Sequence, residues 1–404
     1  MSNELLQKIC IYKALGKVRK AKSFGKGEKS PIRVLIVIGT LEIGGAEKHV
    51  AKLASSLRDY QITVSICALS AAGALESDLI KKGITLFYPS ESDEFRLISK
   101  IKFLRGLASY FGSAWTFLRA YNSFRPNIVH FFLPGAYIIG GLTSLFVPGL
   151  RRVMSRRSLN IYQRGRPVLT LIERFLHTRM DTITGNSKSV IKDLAAEGVP
   201  PDKLNLIYNS VSVPNHFRNS KKSYAEPVEI LCIANLIPYK GHLDLFEALA
   251  RIPKVVSWHL TCVGRDDNYR TELEFAILRL GLVNFVDFTG AVLDPSPYLL
   301  SADIGVNCSH QEGFSNALLE YMAAGLGIVA TDVGGNTEAI RHRLDGLIIP
   351  SRSPLEMSTA IIKLFACKYR NQLGASARRR AIDNFGEKEC VNSYSNIYRE
   401  LYQR

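Results

Sequence analysis

The chain has 404 residues, 47% of them hydrophobic and 22% charged. That composition excludes a disordered protein, and the length exceeds one ordinary core, so two domains of about 150–200 residues are expected. The net charge of +16 is uneven: residues 1–200 hold 30 Lys and Arg against 14 Asp and Glu, whereas residues 201–404 hold 22 of each.

Residues 1–30 form a tail with eight basic residues between Lys8 and Lys29 and two acids. After it, strands are expected at Ile32–Gly39, Ile62–Leu69, Ile84–Tyr88, Asn127–Phe132, Arg152–Ser155, Thr182–Gly185 and Leu204–Tyr208. They are rich in β-branched residues and show little alternation, as parallel strands buried on both faces do. Helical stretches such as Ala46–Leu57, Arg166–Thr178 and Ser187–Glu197 separate them, which implies βαβ units in a domain over 31–208. Between Phe95 and Tyr121 an apolar stripe (Leu97, Ile101, Leu104, Ala108, Phe111, Trp115, Leu118) recurs at helical spacing. Basic residues flank it, and a core helix pair or interfacial docking would each produce it.

Residues 209–227 are polar, carry two prolines and lack helical period, so they read as a linker. The pattern restarts over 228–386, with strands at Val228–Ala234, Trp258–Val263, Val286–Thr289, Ile304–Asn307, Ile328–Thr331 and Leu347–Ile349. A last helix over 387–404 is expected to pack back on the first domain. The fold class is α/β: two Rossmann-like, doubly wound parallel sheets facing a cleft, with ligands at the carboxyl ends of the strands.

The cysteines (Cys10, Cys67, Cys232, Cys262, Cys308, Cys367, Cys390) form no CxxC and no Cys/His cluster. They read as reduced cytoplasmic thiols and argue against structural zinc. No signal peptide opens the sequence, and the longest weakly polar run, Gly135–Leu150, has 16 residues, too few to span a bilayer. The basic first half favours anionic partners such as acidic lipid head groups or pyrophosphate carriers, unless it is an ordinary solvated surface. No recognised nucleic-acid motif accompanies it, so nucleic acid is not an expected partner.

The most specific stretch runs from Cys308 to Glu338, CSHQEGFSNALLEYMAAGLGIVATDVGGNTE. A strand ends near Asn307, a turn carries Glu312-Gly313-Phe314, and a helix begins at Ser315-Asn316. Ser315 suits the N-cap and Gly325 the residue past the C-terminus. Glu312 therefore lies before the helix and Glu320 about one turn inside it, while free N–H groups at the helix start suit a phosphate.

Glu-x7-Glu with Gly-Phe after the first Glu, followed by Ala-Thr-Asp-Val-Gly-Gly and Glu338, resembles glycosyltransferase family 4, the retaining GT-B enzymes of bacterial polysaccharide and glycolipid synthesis. The resemblance covers roughly residues 32–400. It implies that Glu312 contacts sugar hydroxyls, that Glu320 contacts the ribose, and that Gly313, Phe314, Ser315 and Asn316 face the donor. Gly44-Gly45-Ala46-Glu47 matches the glycine-rich loop facing donor phosphates and acceptor. Asn235-Leu-Ile-Pro-Tyr-Lys240-Gly241 resembles the phosphate-binding stretch, with Asn235 where an arginine is usual, so Lys240 is expected to carry the fixed charge. Thr289-Gly290 resembles the segment near the base. Gly264-Arg265-Asp266 departs from the usual Gly-Asp-Gly and leaves the role of Arg265 open.

His130 is a candidate for reaching the donor sugar or a satisfied core histidine. Arg156-Arg157 is a candidate for an acceptor phosphate or a solvated pair. Asn186-Ser187 and Ile207-Tyr208-Asn209 resemble segments leading into the linker. The resemblance further implies a nucleoside-diphosphate sugar donor, a UDP-sugar in the first place, and a glycan or polyprenyl-pyrophosphate-linked acceptor. It implies no required cofactor or metal, and the sequence has no DxD with acidic neighbours and no His/Asp cluster. A cytoplasmic chain, peripheral on an anionic membrane face, is the expectation. The alternatives are a catalytically silent nucleotide-sugar-binding protein and an epimerase of the same fold.

Overall fold

The computed structural model describes residues 31–89, 105–163, 165–213, 226–253 and 255–404, with the side chains of 105–109 outside that set. The basic tail, residues 214–225 of the linker and the first part of the apolar stripe (95–104) lie outside the described residues.

The first domain is a seven-stranded parallel sheet in the order β3-β2-β1-β4-β5-β6-β7. Its strands are β1 (Ile32–Thr40), β2 (Ile62–Ala71), β3 (Thr85–Phe87), β4 (Ile128–Phe132), β5 (Arg151–Arg156), β6 (Thr182–Gly185) and β7 (Leu204–Leu206). One face is covered by α1 (Gly45–Ser56) and α2 (Glu76–Lys81), whose Val50, Leu53 and Leu79 pack on Val34, Ile36 and Ile66. The other carries α3 (Arg105–Phe124), α4 (Pro134–Ser144), α5 (Pro167–Arg179) and α6 (Lys188–Ala196), joined in one core by Phe117, Phe131, Tyr137, Leu176 and Val190. The sheet is thus sandwiched on both faces, which is why its strands read as unbroken apolar runs.

The second domain is a six-stranded parallel sheet in the order β10-β9-β8-β11-β12-β13. It comprises β8 (Val228–Ile233), β9 (Trp258–Val263), β10 (Val286–Gly290), β11 (Ile304–Asn307), β12 (Gly327–Thr331) and β13 (Leu347–Ile349). Between them run α7 (His242–Leu249), α8 (Arg270–Leu280), α9 (Ser296–Ser301), α10 (Asn316–Ala324) and α11 (Asn336–Ala339). After β13 come α12 (Pro354–Leu364), α13 (Cys367–Asn384) and α14 (Glu387–Gln403). Strand order reverses between β1 and β4 and again between β8 and β11. The loops leaving those strands line the crevice between the domains, where ligands of open α/β sheets bind.

The final helix returns to the first domain. Val391, Tyr394, Ile397, Tyr398 and Leu401 of α14 are buried in the core that holds β1 and β4. The two chain crossings run side by side where Val211 bridges Gly386.

The described part of the apolar stripe is divided: Leu118 packs against the core, but Phe111 and Trp115 lie off the buried face of α3. Thr116, Phe117 and Ala120 are buried, whereas Phe111 and Trp115 are 42% and 45% exposed. Hydroxyls make this possible, because Ser113 and Thr116 bury by donating to the carbonyls of Leu69 and Gly112.

Candidate active site

A cleft of about 810 Å³ separates the sheets, lined by residues of both domains. On the second-domain side, the turn after β11 leads into α10. Ser315 caps that helix, its Oγ accepting from the Leu318 N–H at 3.2 Å and from Asn307 Nδ2 at 3.0 Å. Gly325 ends it at φ 72°. Within the first turn the Leu319 N–H is taken by the Ser315 carbonyl. The N–H groups of Asn316 and Ala317, both cleft residues, make no hydrogen bond among the described residues. Such a helix start attracts an anion.

Glu312 lies just before that helix, and Lys240 closes a 3₁₀ turn (Pro238–Lys240) after β8. Lys240 Nζ donates to Glu312 Oε1 at 2.6 Å, and Ser309 Oγ donates to the same oxygen at 2.8 Å. Burial favours the neutral amine of Lys240, but the facing carboxylate outweighs it and holds the pKa above the ordinary lysine value. Glu320 sits one turn inside α10 and accepts no hydrogen bond among the described residues. Burial pushes its carboxyl up to about 7, against the opposing pull of Lys48 and Lys52.

Across the cleft, Gly44 and Gly45 open α1. The Gly45 carbonyl accepts from Asn316 Nδ2 at 2.9 Å, so the glycine loop docks on the start of α10. A Cβ on Gly44 would collide with the Glu47 carboxylate, which folds back over it. A Cβ on Gly313 would collide with the Arg157 carbonyl of the first domain. Gly313 therefore needs a residue without a side chain, for close approach to backbone rather than for φ, whereas at Gly44 the flexible Glu47 side chain could move aside.

Asn209 ties the loops together, donating through Nδ2 to the Phe314 carbonyl at 2.9 Å and to Asn316 Oδ1 at 2.6 Å. Its Oδ1 accepts from Arg157 at 2.7 Å and from Asn186 at 3.2 Å. Glu338, at the end of the long motif, accepts from the N–H groups of Lys188 and Ser189 and from the Tyr208 hydroxyl. It thereby caps α6 of the first domain instead of lining the cleft.

Asn235 and Arg265, the two departures from the family pattern, are neighbours. The β8–β9 register pairs Ile233 with Val263, and two residues further the Arg265 N–H reaches Asn235 Oδ1 at 3.4 Å. Both line the cleft, and Asp267 holds the Arg265 guanidinium at 2.8 and 3.2 Å.

Other expectations change. His130 is fully buried and is not a cleft residue: Nδ1 meets the Tyr398 hydroxyl at 2.6 Å and Nε2 meets Ser155 Oγ at 2.7 Å. A reach to the donor is corrected to a core role, with burial lowering its pKa well below the usual imidazole value. The helix returning from the far end of the chain supplies Tyr398, so the linear sequence hides the partner. Thr289 and Gly290 end β10 just outside the cleft, which is lined instead by the following Ala291 and Val292.

Arg156 and Arg157 point into different environments. Arg156 is buried in ion pairs with Glu173, at 2.7 Å, and with Glu197. Glu173, His177 and Glu197 place ligand atoms within 4.8 Å of one another, a carboxylate–imidazole cluster that linear spacing did not reveal. Arg156 joins both carboxylates, Tyr162 and Gln163 donate to Glu173, and the Tyr137 hydroxyl meets His177 Nδ1 at 2.8 Å. Every member already has a protein partner, so the cluster is a buried polar network. Arg157 faces the cleft.

His49, one turn into α1, is a cleft residue that motif reading missed. It is 8% exposed, its Nε2 has no hydrogen-bond partner among the described residues, and burial lowers its pKa well below the usual value. Its signal in the sequence is a histidine four residues after Gly45.

Fold and site define a GT-B protein with a cleft between its two sheets. Two family models match, Glycosyltransferase Family 4 over residues 43–213 and Glycosyl transferases group 1 over residues 227–367. The chain belongs to glycosyltransferase family 4. It is 29% identical over 245 residues to an N-acetyl-alpha-D-glucosaminyl L-malate synthase of Bacillus anthracis, spanning 58% of this chain and 64% of that one. It is 31% identical over 171 residues to the Campylobacter jejuni N,N'-diacetylbacillosaminyl-diphospho-undecaprenol alpha-1,3-N-acetylgalactosaminyltransferase, spanning 42% and 44% of the two chains. These alignments thus cover less than two thirds of the relatives' own lengths. The fold matches Anabaena Alr3699/HepE, crystallised with UDP and glucose, at TM-score 0.78, 20% identity and coverage of 91% and 100%.

Proposed function

We propose that this chain transfers a sugar, with retention of configuration, from a nucleoside-diphosphate sugar, a UDP-sugar in the first place, to a glycan or polyprenyl-pyrophosphate-linked acceptor in cell-surface polysaccharide or glycolipid synthesis. The observation that carries it is the Lys240–Glu312 pair at the open start of α10, opposite the glycine pair of the first domain. In this reading the diphosphate lies against the Asn316 and Ala317 N–H groups and Lys240. Their fixed charge and dipoles match the negative charge that builds as the anomeric carbon–oxygen bond breaks. Glu312 holds sugar hydroxyls and Glu320 the ribose. The acceptor oxygen takes the place of the diphosphate oxygen on the same face of the anomeric carbon, and its proton leaves with the diphosphate. Neither a metal nor a nucleophilic carboxylate is required by this scheme.

The family membership and the undecaprenol-linked acceptor named for the Campylobacter relative support the reading. The basic first half of the chain would bring it to an anionic membrane face, where such acceptors reside. No helix among the described residues is long and apolar enough to cross a membrane. Thermal-shift screening of the full chain with UDP-, GDP- and ADP-sugars, followed by transfer assays, tests the proposal. Stabilisation by one donor and transfer lost in Glu312→Ala is the expected result; no response to any of them would refute it.

A further inference from the structure

The buried side of α5 is pinned to the sheet by Glu173, Leu176 and His177. Its outer side is unusual. Val168 and Leu171 are 68% and 66% exposed and Phe175 is 45% exposed, at spacings of three and four residues that make one stripe. Arg166, Arg174 and Arg179 are exposed around it, with the Arg179 guanidinium 5.2 Å from the centre of the Phe175 ring. The one acid in the helix, Glu173, is buried on the other side. Beyond its end, Asp181 is paired with Arg151, and Lys203 donates to the carbonyls of Thr178 and Met180. An exposed apolar stripe edged by arginines with no free carboxylate on the helix is poorly matched to water and well matched to an anionic lipid interface, where the side chains enter the acyl boundary and the guanidiniums meet phosphates.

The position of α5 adds a second argument. Arg157, Ser158, Leu159, Ile161 and Tyr162 line the cleft, and the chain reaches the first turn of α5 only five residues after Tyr162. Tyr162 also donates to Glu173, which ties the cleft wall to the helix. A surface bound by α5 lies beside the mouth through which a lipid-linked acceptor would reach the sugar.

We propose that α5 is the membrane-docking element of the chain, with Val168, Leu171 and Phe175 inserted into an anionic bilayer. This rests on the membrane-facing acceptor reading above and specifies which surface makes the contact. The full chain is mixed with phosphatidylglycerol/phosphatidylethanolamine vesicles and, separately, with phosphatidylcholine vesicles, and binding is read by flotation. Leu171→Ser/Phe175→Ser leaves the buried face of the helix untouched, so the melting temperature stays within about a degree or two while vesicle binding drops at least tenfold. Two large apolar side chains withdrawn from the interface account for a loss of that size or more. Phe175→Trp becomes quenchable by brominated acyl chains, in excess of the background from Trp115 and Trp258. Undiminished binding by the double serine variant, together with no added quenching at 175, overturns the assignment to α5 while leaving membrane attachment intact. Failure of the unaltered chain to float with anionic vesicles overturns the membrane reading and this assignment together.

Discussion

Lys240 Nζ lies 2.6 Å from Glu312 Oε1, so a residue after β8 and one after β11 form an ion pair across two adjacent strands of the second sheet. The pair is mostly buried, at 19% and 11% side-chain exposure. Each member keeps the other fixed before any ligand arrives, which is the condition for electrostatic preorganisation.

Glu312→Ala and Lys240→Ala should each lower turnover at least tenfold, since a lost charged hydrogen bond is worth about 1.5–3 kcal/mol. The two losses should not add, because each change already removes the shared contact. Kinetics of the single and double variants check this, with additive losses as the contrary result. Lys240→Ala should weaken UDP in calorimetry while leaving uridine nearly unchanged.

Arg265 should make up for the charge missing at Asn235. Its guanidinium is held by Asp267, and its backbone N–H reaches Asn235 at the cleft. Arg265→Ala should weaken a nucleoside diphosphate about tenfold and spare the nucleoside, and Asn235→Arg should restore part of the loss in the same chain. Titration of the two ligands against the three variants measures it. Equal weakening of nucleoside and diphosphate, or no rescue, would count against this role.

Glu320 should make nucleotide binding depend on pH. Its carboxyl is raised to about 7 in the free protein, and only the carboxylate can accept both ribose hydroxyls. Affinity should therefore rise between about pH 6 and 8, with protons released on binding. The effect on stability has the opposite sign: the folded chain holds the proton longer than the unfolded one, so this group's contribution falls as pH rises from the ordinary glutamate range to about 7. Calorimetry in buffers of different ionisation enthalpy should show proton release in the unaltered chain and none in Glu320→Gln.

The two histidines of the first domain should separate cleanly. His130→Ala leaves the Tyr398 hydroxyl unpartnered in the core, at about 1–3 kcal/mol, while Ser155 keeps Thr184, so the melting temperature should fall. His49→Ala removes a cleft side chain whose Nε2 has no partner among the described residues, so catalysis should fall further than stability. Thermal melts alongside kcat of both variants test the distinction, and a purely catalytic defect in His130→Ala would reverse it.

Much of the second domain's site was legible because it is local. The strand, turn, cap and helix from Ile304 to Gly325 lie in one stretch, and Ser315 and Gly325 carry their backbone roles in their own chemistry. The alternation of apolar strands and helices likewise pointed to parallel sheets, since such strands are buried on both faces by the helices between them. What the sequence could not decide were the long-range partners. Tyr398, more than two hundred residues away, turns His130 into a core residue, and Glu173 and Glu197 claim Arg156 while its neighbour Arg157 faces the cleft. Helical periodicity did not show that Phe111 and Trp115 of α3 are exposed while Thr116 is buried, because Ser113 and Thr116 satisfy their hydroxyls on carbonyls. Arg265 was left open until the β8–β9 register set it beside Asn235. Local chemistry follows neighbours in the chain, whereas burial and charge pairing follow neighbours in space, and only the tertiary fold supplies those.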